Sequence, residues 1–313
     1  MSSDRHGAPA RRRSCARSGV AWARQRGRTL HICEGRTVIR SVPEVLAVLL
    51  TCLVTLTDEV PVVSSPVKNE HGFLIHDVES SFQSGKTEIR VLLPAELKPG
   101  QQYPVIYVLP VEATSERRYG DGLLEVKNRD LQNKQSTIFI APTFSHLPWY
   151  ADHPTDRAIR QESYFLQVVV PFIEKTYPAQ AKPAGRCLLG FSKSGWGAWS
   201  LLLRHPKVFG RAAAWDAPLM MDRQGKYGSS DIFGTQENFE KYRIAELLRN
   251  SKDSLGQENR LILSGYGNFR KEHEQVHALL DELKVLHMYR DVPQRKHDWH
   301  SGWVGEAVEL LVK

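Results

Sequence analysis

The chain has 313 residues, enough for one large α/β domain plus an N-terminal appendage or for two small domains, with apolar and charged fractions ordinary for a soluble globular protein. Its net charge of +7 is concentrated at one end: residues 1–40 carry ten arginines against Asp4 and Glu34, whereas the remainder has 32 basic and 33 acidic residues. Such a neutral body offers no basic face for nucleic acid, and four cysteines, three of them at Cys15, Cys33 and Cys52, build neither a disulfide framework nor a metal site.

Val45 to Leu56 is a near-apolar run of 12 residues, too short to span a bilayer and suited to the core of a signal peptide, with Arg36 and Arg40 as its positive flank. A secreted or periplasmic protein is therefore expected, with translation starting nearer Val38; the competing reading is a basic leader on a cytoplasmic enzyme. Residues 1–57 are read as this leader and signal-like segment, 58–70 as a linker with two prolines and two serines, and 71–313 as the folded domain.

Within that domain the elements alternate. Phe73–Val78 and Thr87–Leu93 read as a hairpin around Ser84-Gly85-Lys86. Val105–Leu109 and Thr137–Ala141 are continuous apolar strands of the kind buried on both faces. Glu162 to Thr176 has helical spacing, with a kink expected at Pro171. Strands follow at Arg186–Leu189, Ala212–Trp215, Leu261–Ser264 and Leu286–Tyr289. Helices are expected over Phe239–Leu248, His273–Leu283 and Trp303–Val312. Strands alternating with helices predict an α/β fold: a mostly parallel sheet with an N-terminal antiparallel hairpin and helices on both faces. Ligands of such sheets bind beyond the carboxyl ends of the strands.

Gly190-Phe191-Ser192-Lys193-Ser194-Gly195 lies at such an end, between an apolar strand and a helix-forming stretch. A serine at the apex of a sharp strand–helix turn is a nucleophile elbow, and the turn demands small residues two positions either side. Gly190 and Ser194 meet that demand around Ser192. Around Ser194 the equivalent positions are Ser192 and Trp196, and an indole there would collide with the strand. Ser192 is thus the candidate nucleophile. A helix-capping serine would explain the hexapeptide equally well by itself.

A serine hydroxyl needs a base, and the base works best when a third group orients it. His297, in Lys296-His297-Asp298-Trp299-His300, follows the last strand and precedes the last helix, where a loop can reach back over the sheet. His300 reads as a surface residue or substrate contact. Lys193, after the nucleophile, would supply one backbone N–H to an oxyanion hole, and Val111, or Glu112 beside it, the other. Trp149, Tyr150 and Trp299 are candidate substrate contacts, because flat aromatic faces suit sugar rings or phenolic acyl groups.

Tyr103-Pro104-Val105-Ile106-Tyr107-Val108-Leu109, Pro142 with Trp149-Tyr150-Ala151-Asp152, the elbow, and His297-Asp298-Trp299 together resemble the putative-esterase branch of the α/β-hydrolases, which includes esterase D-like and feruloyl-esterase-like enzymes. The resemblance covers roughly Phe73 to Val312. It implies a serine carboxylic-ester hydrolase without metal or organic cofactor, acting through an acyl-enzyme on small-molecule or carbohydrate-linked esters. Two departures stand out. Pro110-Val111 replaces the family's His-Gly after the third strand. Gly265-Tyr266-Gly267-Asn268 has an asparagine where the family places its acid. Asp216, at the end of the preceding strand, ranks first as the replacement; Asn268 and Glu272 are the alternatives. The departures leave two other readings open: an impaired hydrolase fold that binds a glycan or protein partner, and an acyltransferase.

Overall fold

The computed structural model describes residues 60–313. The basic leader, the apolar stretch and Cys15, Cys33 and Cys52 lie outside the described residues. Ten strands form one sheet: β1 (Val62–Val63), β2 (Val67–Lys68), β3 (Leu74–Glu79), β4 (Thr87–Leu92), β5 (Val105–Val108), β6 (Ile138–Pro142), β7 (Arg186–Phe191), β8 (Arg211–Trp215), β9 (Leu261–Tyr266) and β10 (His287–Gln294). Their order is β1-β3-β4-β6-β5-β7-β8-β9-β10, with β2 also on β3. The pairings of β1 to β4, and of β4 with β6, are antiparallel; those from β6 through β10 are parallel. The stretch expected to be a linker thus supplies β1 and β2, whose valines cover the free edge of β3.

Helices flank both faces: α1 (Gly122–Asn128), α2 (Val170–Thr176), α3 (Ser192–Arg204), α4 (Ile244–Ser251), α5 (Arg270–Glu282) and α6 (Val304–Val312). Alternate residues of β5 enter different cores. Val105 and Tyr107 join the layer under α2 to α5, and Ile106 and Val108 the layer under α1 and α6. A strand buried on both faces must be apolar throughout, which is why Val105 to Val108 has no polar alternation. Cys187 on β7 is buried, and burial pushes its thiol up to about 11, so it acts as core.

The kink expected at Pro171 takes a definite form. A turn of π-helix, Phe165–Val169, joins Gln161–Tyr164 to α2, because Pro171 has no N–H to continue a regular ladder. The helix expected over 239–248 is two pieces, Gln236–Glu240 and α4. No helix among the described residues is long and apolar enough to cross a membrane.

The strand order fixes where a ligand can enter. The chain runs from β5 outward to β6, then returns to place β7 on the other side of β5. Connections therefore diverge above the carboxyl ends of β5 and β7 and leave a crevice there. Pro110 and Val111 follow β5, and Ser192 follows β7.

Candidate active site

The elbow forms where the small residues require it. A Cβ on Gly190 would lie 2.3 Å from the Ser194 carbonyl oxygen, so only glycine lets strand and helix meet this closely. Ser192 adopts φ 52°, the left-handed region that disfavours side chains, and holds its hydroxyl at the start of α3. Ser194 is fully buried; its hydroxyl donates to the Phe191 carbonyl (2.9 Å) and accepts from the Phe191 N–H (3.1 Å). Ser194 thus braces the turn and Ser192 is the one presented.

Asp216 follows β8 and is also left-handed, at φ 41°. Its carbonyl accepts the Ser192 N–H at 3.2 Å. Its carboxylate accepts the Asn268 and Phe269 N–H groups, each at 2.7 Å to Oδ1, and His297 Nδ1 donates to Oδ2 at 2.5 Å. A Cβ on Gly267 would stand 2.4 Å from Oδ2, so this glycine admits the carboxylate. Burial favours the neutral acid, but the imidazole and the backbone amides outweigh it and hold Asp216 below the usual carboxylate range.

The segment expected to carry an acid therefore carries amides instead. Asn268 meets Asp216 through its backbone, and Glu272 accepts the Met220 N–H at 2.9 Å. Neither reaches His297. Of the three candidate acids, only Asp216 contacts the imidazole.

Around His297 stand aromatic rings at centroid distances of 5.0 Å (Phe191), 5.5 Å (Tyr119) and 5.9 Å (Phe269). Arg295 N–H donates to the Tyr266 carbonyl and Trp299 N–H to the Tyr119 carbonyl, both at 2.9 Å, so the loop after β10 is tied down on both sides of the histidine. With Nδ1–H committed to Asp216, Nε2 is free to accept a proton. Among the described residues Ser192 Oγ forms no hydrogen bond, and bonds of this kind often tighten only with substrate in place.

Lys193 lies in the first turn of α3, where backbone N–H groups have no intrahelical acceptor. Its side chain is mostly buried, not out in solvent. Burial and Arg118 lower its pKa, against the opposing pull of Glu112. Across the crevice the Pro110 carbonyl accepts the Tyr150 hydroxyl at 2.6 Å. In a trans peptide the following N–H points the opposite way, so this bond sets the direction of the Val111 N–H.

The aromatic contacts expected of the cleft are placed differently. Trp149 and Tyr150 are fully buried. Trp149 packs edge-on to Trp196 at 5.5 Å. Tyr150 lies so close to α3 that a Cβ on Gly197 would be 2.0 Å from its ring. Burying their large apolar faces against α3 outweighs leaving them open to a ligand. Trp299 is 2% exposed and packs on Phe191 and Trp303; the cavity it borders is about 20 Å³, the size of a water and not of a substrate. His300 is exposed, as expected of a surface residue, and is held there: Nδ1 pairs with Glu125 at 2.9 Å and Nε2 accepts the Asp121 N–H at 3.3 Å.

Sequence reasoning did not single out Tyr119 or Phe269 beside the imidazole. It also missed His273, which is buried behind Asp216 and accepts the Ala217 N–H at 2.9 Å. His273 stands on the inner face of α5, a position that reads as core.

A mostly parallel sheet covered on both faces, with a serine on a strand–helix elbow and an Asp–His pair over the strand ends, defines an α/β-hydrolase. The family model described as "Putative esterase" matches residues 80–295, and the chain belongs to this esterase family. Esterase Rv1288 of Mycobacterium tuberculosis is 27% identical over 139 residues, 43% of this chain but only 30% of that relative's length. Among solved structures, a ferulic acid esterase superposes with a TM-score of 0.58 at 19% identity, covering 81% of this chain and 96% of its own. FphF, a fluorophosphonate-binding serine hydrolase of Staphylococcus aureus, superposes with 0.64 at 16% identity, covering 77% and 98%.

Proposed function

We propose that the protein is a serine carboxylic-ester hydrolase that works through an acyl-enzyme on Ser192. The observation that carries this is the Asp216–His297 hydrogen bond, joined through Asp216 to the backbone of the elbow serine. In this reading Ser192 Oγ attacks the ester carbonyl as its proton passes to His297 Nε2. Asp216, kept ionised, stabilises the imidazolium. The Lys193 and Val111 N–H groups receive the developing oxyanion. The proton returns to the leaving alcohol, and a water activated by the same imidazole releases the acid.

Carbohydrate-linked esters with flat acyl groups are the proposed substrates. The support is the ring surround of His297 by Tyr119 and Phe269, and the fold shared with a ferulic acid esterase. Export, through the apolar stretch Val45–Leu56, is part of the same proposal; cell fractionation should find activity outside the cytoplasm.

The test is a screen of p-nitrophenyl acetate, a longer-chain p-nitrophenyl ester and methyl ferulate against the protein and its Ser192→Ala variant. The proposal expects turnover of the short and feruloyl esters that the variant lacks. Equal rates in both proteins, or no turnover of any ester by folded protein, would overturn it.

A further inference from the structure

We propose that His277, Asp281 and His287 form a binding site for a divalent transition-metal ion of borderline softness, with Zn²⁺ as the type case. Among the described residues these three bring His and carboxylate donor atoms within 4.8 Å of one another. His277 and Asp281 are one helical turn apart on α5, and His287 opens β10, the edge strand. The group sits at the amino end of the parallel strands, whereas Ser192 is at the carboxyl end.

The hydrogen bonds determine which nitrogens are bare. His287 Nδ1 faces the Val285 carbonyl at 2.8 Å; a carbonyl only accepts, so Nδ1 carries the proton and Nε2 of the neutral ring is a lone pair. His277 Nδ1 lies 2.7 Å from that Nε2 and must donate to it. Asp281 Oδ2 lies 3.6 Å from His277 Nε2, and Asp281 Oδ1 is 3.9 Å from His287 Nε2. The nitrogens that face each other, His277 Nδ1 and His287 Nε2, and the nearby Asp281 Oδ1 make one donor set, closed in the metal-free protein by the proton between the rings. A cation belongs there.

The donor set selects the kind of cation. Two imidazoles and one carboxylate suit zinc and its neighbours, whereas magnesium and calcium seek oxygen. At metal–nitrogen distances of about 2.0–2.1 Å, tetrahedral ligands stand roughly 3.3 Å apart, so the facing nitrogens need open by only about 0.6 Å. On binding, the proton between the rings leaves Nδ1 of His277 or moves to its Nε2. The Val285 carbonyl already supplies the outer-shell bond that orients a metal-binding histidine. Asp281 is largely exposed and His287 buried, so a fourth position faces solvent. The Tyr289 ring, stacked on His277 at 4.1 Å, keeps that imidazole in plane.

The experiment titrates Zn²⁺ into untagged, chelator-treated full-length protein by calorimetry and follows Tm, with Mg²⁺ as control and a His277→Ala/His287→Ala variant alongside. The proposal expects one equivalent of Zn²⁺ present in the wild type and lost in the variant. Wild-type Tm should rise by about 5 °C at hundredfold excess over Kd, and Mg²⁺ should leave it unchanged. Asp281→Asn, at an exposed position, keeps the test valid if the double variant does not fold; it should weaken that equivalent about tenfold. Hydrolysis of p-nitrophenyl acetate should be the same in all of them. Equal Zn²⁺ stoichiometry and Tm in wild type and variants would place the metal elsewhere, at Cys15, Cys33 or Cys52 for instance. That result, or no Zn²⁺ binding at all, would overturn the proposal and leave a histidine pair closed by a proton.

Discussion

Asp216 concentrates several costs on one side chain: a left-handed backbone, full burial and a formal charge, all offset by His297 and the amides of Asn268 and Phe269. If that charge steadies the imidazolium, Asp216→Ala should lower kcat by about 10³- to 10⁴-fold, as removal of the acid does in other serine hydrolases. Asn268→Ala should stay within about threefold, since its contribution is a backbone N–H that alanine retains, and Glu272→Ala likewise. Steady-state kinetics on p-nitrophenyl acetate reads all three; loss confined to Glu272→Ala would refute the assignment. Ser192 was legible in the sequence because steric demands two residues either side leave one serine that fits. Which of Asp216, Asn268 and Glu272 meets His297 was not fully legible, because all three follow neighbouring strands at the same end of the sheet. Two backbone amides decide between them, and backbone direction leaves no mark on residue type. For the same reason a His-x-x-x-Asp on α5 facing a strand histidine escaped a reading that sought metal sites through cysteines.

At the scale of elements, the loop after β6 supports the loop after β5. Tyr150, itself at φ 56°, sends its hydroxyl to the Pro110 carbonyl, and Gly197 on α3 makes room for its ring. The missing glycine in Pro110-Val111 therefore does not leave that peptide loose. Its plane is fixed from behind by a tyrosine 40 positions away. Tyr150→Phe should preserve the fold, at a stability cost of about 1 kcal/mol for the lost bond. It should lower kcat about tenfold with KM nearly unchanged, since a misdirected oxyanion donor weakens the transition state and not the ground state. A change in KM alone would mean that Tyr150 shapes binding instead. The strands of the sheet were readable because runs buried on both faces are uniformly apolar. The inward course of Trp149 and Tyr150 was not: an aromatic pair in a loop has the same sequence whether it faces a ligand or the back of a helix.

For the whole molecule, the fold rests on buried groups that must keep one protonation state. His273 is buried against Ala217 and Gly265, and burial lowers its pKa from 6.5 to about 4. Its Nε2 accepts from Ala217, so a second proton would set donor against donor. The unfolded chain binds that proton below pH 6.5 while the native state resists it until about 4, so stability falls as the pH drops through this window. Asp216 acts in the same direction: its depressed pKa contributes stability above the unfolded carboxylate range, and that stability is lost on further acidification. Denaturant unfolding should show a loss of about 2 kcal/mol between pH 7 and pH 5 from His273 alone, flattened in His273→Gln. An unchanged pH dependence in that variant would remove His273 from the account.

The topology places two side chains 105 positions apart at the same end of the sheet, one after β7 and one after β10, and Asp216 bonds to the backbone of the first and to the imidazole of the second. Mass spectrometry after exposure to a fluorophosphonate tests most directly whether the two act together, because only an activated serine reacts at an appreciable rate. The expected result is a single adduct on Ser192, absent in Ser192→Ala and formed about a thousandfold more slowly in His297→Ala. No adduct on folded protein, or labelling of His297→Ala at the wild-type rate, would contradict the account.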